Sequence, residues 1–223
     1  YNSPRAWYIE RYFNPRTHVW DGDNAEFTPL SDDIPWANVP ERKITVRDVK
    51  YILSSHFQGT PYDPYARFGE NVNKGAYRPI GISRTSFLSL AQIRGYAPKE
   101  VAAIEWFTFA SNPFNELVPF FTNSHKVPSY YGNTTLDCDS NNFYWANRLL
   151  GALADSHFTF SSSIIERYQD ALSAKGYELI NKVDASISSN ASISLDSINQ
   201  EMADNAKKIT QKALNALIYE VSC

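Results

Sequence analysis

The chain has 223 residues, 43% of them hydrophobic and 20% charged, enough apolar material for one substantial core or two smaller ones. A net charge of −3 with no basic run gives no electrostatic reason to expect nucleic acid, and no apolar run approaches the roughly 18 residues of a membrane span. Two cysteines, Cys138 and Cys223, are too few for a disulfide scaffold or a four-cysteine zinc site. The opening "YNSPRAWYIERYFNP" has neither an initiator Met nor a charged-then-apolar leader, so the chain is expected to begin at a processing site or partway through a larger protein.

In chain order, residues 14–43 are rich in Pro, Asp and Asn and read as irregular surface chain. A helix is expected over 46–56, with Thr45 as N-cap and Val49, Ile52 and Leu53 as its buried stripe. "QGTPYDPYARFGENVNKGAY" follows as loop. Strands are expected at 78–84, 86–94, 101–110 and 116–121. The third sets Ala103, Glu105, Phe107 and Phe109 against Ile104, Trp106 and Thr108, so both faces carry bulky apolar groups and a layer is expected on each. Trp106 and Phe107 read as core and Arg78 as surface. The last third is helical, at 140–155, 162–181 and 194–220, with the Ser-rich "DASISSNAS" of 184–192 as a loop. Helices around an antiparallel sheet make the class α+β.

Arg84 stands out. It shares the parity of Ile80, Ile82, Leu88 and Leu90, and in an extended chain that puts a guanidinium on the apolar face. An arginine cannot shed its charge, so it needs an internal carboxylate, carbonyls or a substrate.

Other residues offer no complete catalytic set. The four histidines, His18, His56, His125 and His157, have no metal-ligand spacing. "DCDSNN" opens like a calcium loop but lacks the later Gly and Glu, so Asp139 or Ser140 reads as a helix N-cap. Asp137 and Asp139 flank Cys138 and oppose thiolate formation, which favours a structural thiol or a bridge to Cys223. Asn133 and Asn190 head sequons that would accept glycans in a secretory pathway.

Five blocks together carry a resemblance: "RAWYIERYFNP", "KITVRDVKYILSSHFQGTPYD", "RPIGISRTSFLSLAQIR", "AAIEWFTFASNPFNELVPFF" and "DSNNFYWANRLLGALADSHF". In this order they resemble the C-terminal half of the dipeptidase family of cysteine peptidases with the N-terminal-nucleophile fold, relatives of penicillin V acylase and bile salt hydrolase. The resemblance implies that residues 1–223 are the C-terminal portion of a single four-layer αββα domain, with antiparallel sheets between helical layers. It implies hydrolysis of small dipeptides by an N-terminal Cys whose own α-amine acts as base. That cysteine is not in this chain, where Tyr1 comes first, so a companion N-terminal chain is the expected partner. Arg84 would then lie against the nucleophile, and Thr60, Tyr62 and Asp63 would line the cleft, Asp63 taking the substrate's free amine. Alternatively, Pro61 and Pro64 make a turn that Asp63 caps. Neither cofactor nor metal is implied, and a homo-oligomer is left open. An acylase of non-peptide amides and a non-catalytic binding protein are the competing readings. Chain cleavage, the sequons and a Cys138–Cys223 bridge lean toward a secreted or lysosomal/vacuolar setting, with cytoplasm as the alternative.

Overall fold

A computed structural model of the chain describes residues 2–66, 72–189 and 191–222. They form two compact units, 1–82 and 83–223.

The first unit is built on aromatic side chains. Helix α1, Ser3–Phe13, begins with Pro4 in its first turn, where the missing N–H costs nothing, and buries Trp7 and Tyr8. These pack with Trp20, Phe27, Ile52 and Phe57, and with half-buried Tyr62, Tyr77 and Ile80. The segment 14–43 contains neither helix nor strand, as expected, yet it is more than surface chain: its Trp20 and Phe27 are core. The Trp20 indole donates to the Asn14 carbonyl at 2.8 Å, which ties the irregular chain to the end of α1.

Helix α2, Val46–Leu53, starts at the expected Thr45 cap with a full capping box, in which Thr45 and Asp48 bond each other's backbone N–H. It ends three residues earlier than expected, because Ser54 caps it and Phe57 turns the chain at φ 66°. Buried Asp48 also accepts from the Tyr12 hydroxyl at 2.8 Å and from Arg42 at 2.7 Å. The Arg42 hydrogen bond, more than the others, holds the Asp48 carboxyl well below the usual carboxylate range. A depressed folded-state pKa gives stability that is present above the unfolded value, about 3.9, and is lost as pH falls through the folded one. Asp48→Asn should therefore be less stable than the parent by about 1–2 kcal/mol at neutral pH. That gap should begin to narrow in thermal melts below about pH 4 and close only as pH falls through the depressed folded-state value.

In the second unit, three strands form one antiparallel sheet in the order β1 (Phe87–Ile93), β2 (Ala103–Phe109), β3 (Val118–Phe121). Leu90 pairs with Trp106 and Trp106 with Pro119, so Leu88, Leu90, Ile104, Trp106, Pro119 and Phe121 share one face. Helices α5 (Phe158–Ser188) and α6 (Leu195–Ser222) cover that face. Tyr177 of α5 packs on Trp106 with ring centroids 5.2 Å apart. Gly176 lies so close to the Pro119 ring that an added Cβ would sit 2.9 Å from it. On α6, the buried Asn199 amide accepts from Phe121 N–H and donates to Phe121 C=O, pairing the edge of β3 as a further strand would. Trp106 and Phe107 are buried, as expected of core.

The opposite face is covered unevenly. Helices α3 (Ser129–Gly132) and α4 (Phe143–Ser156) lay Tyr131 and Phe143 edge-on against Phe107, at 5.0 and 6.2 Å. At its other edge Phe87 is 54% and Ile93 73% exposed, with Ser89 and Ala91 also open to solvent. The class is α+β as expected, and the described residues hold one small three-stranded antiparallel sheet.

Several boundaries differ from the sequence reading. Residues 78–84 are not a strand: Pro79 has no N–H to give a ladder, and Gly81 N–H goes to Ser55 C=O at 2.8 Å. The cap of α4 is Asn142, which accepts from Trp145 N–H, rather than Asp139 or Ser140; Asp139 instead bonds Asn141. Helix α5 begins at Phe158 and runs into the Ser-rich stretch to Ser188, because Ser186 and Ser188 hydroxyls donate to carbonyls one turn back and so are satisfied within the helix. Cys138 is an exposed free thiol; Cys223, its expected partner, lies outside the described residues. Asn133 is exposed at the end of α3, and Asn190 lies outside the described residues. Among the described residues no helix is long and apolar enough to cross a membrane, and no group of three or more His, Cys, Asp or Glu stands together as metal ligands.

Candidate functional site

Arg84 is exposed, on a turn just before β1, which corrects the expectation of a buried strand position. The parity argument assumed extended backbone from Ile80 onward, whereas the strand begins at Phe87. Among the described residues the Arg84 guanidinium makes no hydrogen bond or ion pair, so it is a solvated cation rather than one neutralised inside a sheet.

The turn beneath it is held firmly. Arg148, on α4, donates from Nη1 to the Ser83 carbonyl at 3.3 Å and from Nη2 to Ser86 Oγ at 3.1 Å. Its own Nε donates to the Tyr144 hydroxyl at 3.2 Å, and the guanidinium carbon lies 5.2 Å from the Tyr144 ring centre. From the other side Ala110 N–H donates to Ser86 C=O at 3.0 Å. Ala110 is buried with φ at 68°, a left-handed conformation that costs a non-glycine residue about 1–2 kcal/mol. Asn115 holds that corner, its amide donating to the carbonyls of Phe109 and Ala110. A cation without a partner therefore projects from a turn fixed at both ends.

In the first unit "GTPYD" forms a self-bonded loop. Thr60 Oγ1 donates to the Phe57 carbonyl at 2.7 Å and accepts from Tyr62 N–H at 3.2 Å. Asp63 Oδ1 accepts from Tyr65 N–H and from His56 Nδ1, each at 2.8 Å. Both His56 and Asp63 side chains are largely buried, and the His56 ring meets Tyr65 edge-on at 5.0 Å. Tyr62 lies against Trp7 and Tyr77 with centroids 6.0 and 4.8 Å apart. The polar groups of Thr60 and Asp63 thus serve the loop itself, the arrangement in which Asp63 caps a turn. Phe57 at φ 66° and Gly59 at φ 77° give the loop its two left-handed residues, and Phe57 is fully buried there.

The sequence brings out Arg84, Thr60, Tyr62 and Asp63; it does not single out Arg148, and it offers His56 only as one of four histidines without metal-ligand spacing. The Tyr144–Arg148 spacing of one helical turn was the available signal for the first. For the second, a seven-residue separation across a loop leaves no pattern to read.

Comparison with known proteins adds a lineage to this geometry. The model of "Peptidase family C69" matches residues 1–171, more than half the chain. The chain belongs to peptidase family C69. A "Dipeptidase" of Bifidobacterium longum is 51% identical over 187 residues, 84% of this chain and 35% of that protein. A "Probable dipeptidase A" of Streptococcus pyogenes serotype M18 is 42% identical over the whole chain and 45% of its own length. "Dipeptidase A" of Lactobacillus helveticus is 31% identical over 99% of the chain and 45% of its own length. The chain thus spans less than half the length of these curated relatives. The expected family is the one found.

Proposed function

We propose that this chain is the supporting part of a C69 dipeptidase and acts with a companion segment that carries an N-terminal cysteine. The C69 match over 1–171 carries the proposal, together with relatives named as dipeptidases. In the reaction the cysteine thiol attacks the peptide carbonyl, its α-amino group takes the thiol proton and passes it to the leaving amine, and a thioester forms. Water then cleaves the thioester, returning the thiol and releasing the first amino acid. Backbone and amide donors steady the tetrahedral oxyanion.

Within this proposal Arg84 supplies positive charge beside the thiolate and lowers the α-amine's pKa by like-charge repulsion. Its exposure and its lack of a partner suit a cation that meets its counter-charge only on assembly. The companion contributes a second sheet that covers Phe87 and Ile93, completing an αββα sandwich; the exposure of these two apolar side chains on one face of β1 supports that assignment. Thr60, Tyr62 and Asp63 shape the cleft as a rigid wall, since the loop consumes the polar groups of Thr60 and Asp63.

Alkylation of the native protein by a thiol reagent during dipeptide turnover tests the reading. Activity should be lost with the label on an N-terminal cysteine outside residues 1–223. Loss that tracks labelling of exposed Cys138, or an absence of dipeptide hydrolysis, overturns it. Phe87→Lys provides a second check. It should leave the helical packing of this chain intact while weakening its hold on the companion, seen as dissociation in size-exclusion chromatography.

A further inference from the structure

We propose that Arg148 is a positioning residue for Arg84, an assignment that rests on the reading of Arg84 given under Proposed function. The observation is a clamp across a long stretch of sequence. One guanidinium on α4 reaches both ends of the turn that carries Arg84, 3.3 Å to the Ser83 carbonyl and 3.1 Å to Ser86 Oγ. These bonds span 65 and 62 residues of chain, so the turn is held by tertiary structure and not by its own sequence.

Chemistry favours arginine for this task. A guanidinium presents donors in a rigid planar fork, so two acceptors can be held at a fixed separation, while an ammonium on a flexible stem is a single point. The fork is itself aimed, because Nε bonds the Tyr144 hydroxyl and the group lies against the Tyr144 ring. Tyr144 in turn packs on Phe109 at the end of β2, with centroids 5.9 Å apart. The opposite side of the turn is fixed by Ala110 N–H to Ser86 C=O, from a residue that keeps a left-handed conformation without being glycine. Helix, sheet and strained corner converge on the backbone around a side chain that has no partner of its own. Such rigidity serves little in an ordinary surface turn, and it suits one whose cation must be in place before a reacting sulfur arrives.

The test is a mutant cycle in the assembled native dipeptidase with Arg84→Ala, Arg148→Lys, Arg148→Ala and the Arg84→Ala/Arg148→Ala double variant. Misplacing a catalytic group by about 1 Å costs up to about 100-fold in rate. Arg148→Lys, which keeps the charge and loses the fork, should lower kcat about tenfold with KM within about twofold. The double variant should be no slower than Arg84→Ala alone, because Arg148 acts only through Arg84. Melting temperatures taken alongside separate this from a loss of fold. Full activity in Arg148→Lys, or effects of Arg84→Ala and Arg148→Ala that multiply in the double variant, overturns the inference while leaving the dipeptidase reading intact. A silent Arg84→Ala instead overturns the role given to Arg84, and the inference with it.

Discussion

Replacing Asp184 with alanine is expected to destabilise the second unit by about 3 kcal/mol, whereas Arg94→Met is expected to cost little. Among the described residues Arg94 is the buried arginine, with only 2% of its surface exposed. Its Nη1 reaches both oxygens of Asp184 at 2.8 and 2.9 Å, its Nη2 donates to the Val101 carbonyl at 2.7 Å, and its Nε has no partner among the described residues. The carboxylate is on α5 and the arginine just past β1, so the pair joins helix layer to sheet. Removing Asp184 strands a permanent charge in the interior with one carbonyl, and that residual desolvation is the source of the cost. Removing the charge itself has the opposite logic. Methionine fills a similar volume between Tyr96 and Phe121, and Asp184, more than a third exposed, turns to water. Urea unfolding of both variants measures the asymmetry. Equal losses would mean that packing of the side chain, and not its charge, holds the layers together.

That pair also explains how the sequence was misread at one point. The stretch "RPIGISRTSFLSLAQIR" does carry a buried guanidinium, and it is Arg94 rather than Arg84. Alternation holds only inside the strand, where Leu88, Leu90 and Gln92 lead by parity to Arg94; it cannot be carried back through Pro79 and Gly81 to Arg84. The counter-ion, 90 residues away on another element, has no local signature. What was legible depended on short-range physics. Alternation found β1, β2 and β3, and the Thr45 cap found the start of α2, because neighbours within a few residues decide both. The irregular 14–43 segment was legible as irregular, but its role as core was not, since Trp20 and Phe27 are buried by partners from α1. The exposed edge of the sheet at Phe87 and Ile93 was hidden too. Their apolar character predicts burial, and nothing in the local pattern says that this chain leaves them uncovered. Parity singled out Arg84 only by assuming extended backbone, the family blocks include it on other grounds, and the bonds from Arg148 that hold its turn, 62 and 65 residues away in sequence, leave no local signature at all.

Gly81→Ala is expected to disrupt the first unit more than any other single methyl added to a described glycine, by about 3 kcal/mol or more. An added Cβ would stand 2.5 Å from the Ser54 carbonyl oxygen, 2.6 Å from its carbon and 2.9 Å from Ser54 Cα. All three are backbone, so no rotamer change relieves the overlap, and Ser54 itself is fixed as the cap of α2. Retreat of the 81 segment would stretch the 2.8 Å bond from Gly81 N–H to Ser55 C=O and pull Ile80 and Tyr77 off the cluster around Phe57. Glycine is needed here for close approach alone, since its φ is not in the left-handed range. Gly95→Ala is the matched control: nothing lies within 4 Å of its added Cβ, and its effect should fall within about 0.5 kcal/mol. Thermal melts of the two variants give the comparison. Because Thr60 bonds the Phe57 carbonyl, the Gly81 variant should also expose the 57–66 loop to limited proteolysis, and the Gly95 variant should not. Similar melts for both would mean that the Ser54 turn yields to the extra methyl, and that the loop's rigidity comes from the His56–Asp63 bond instead.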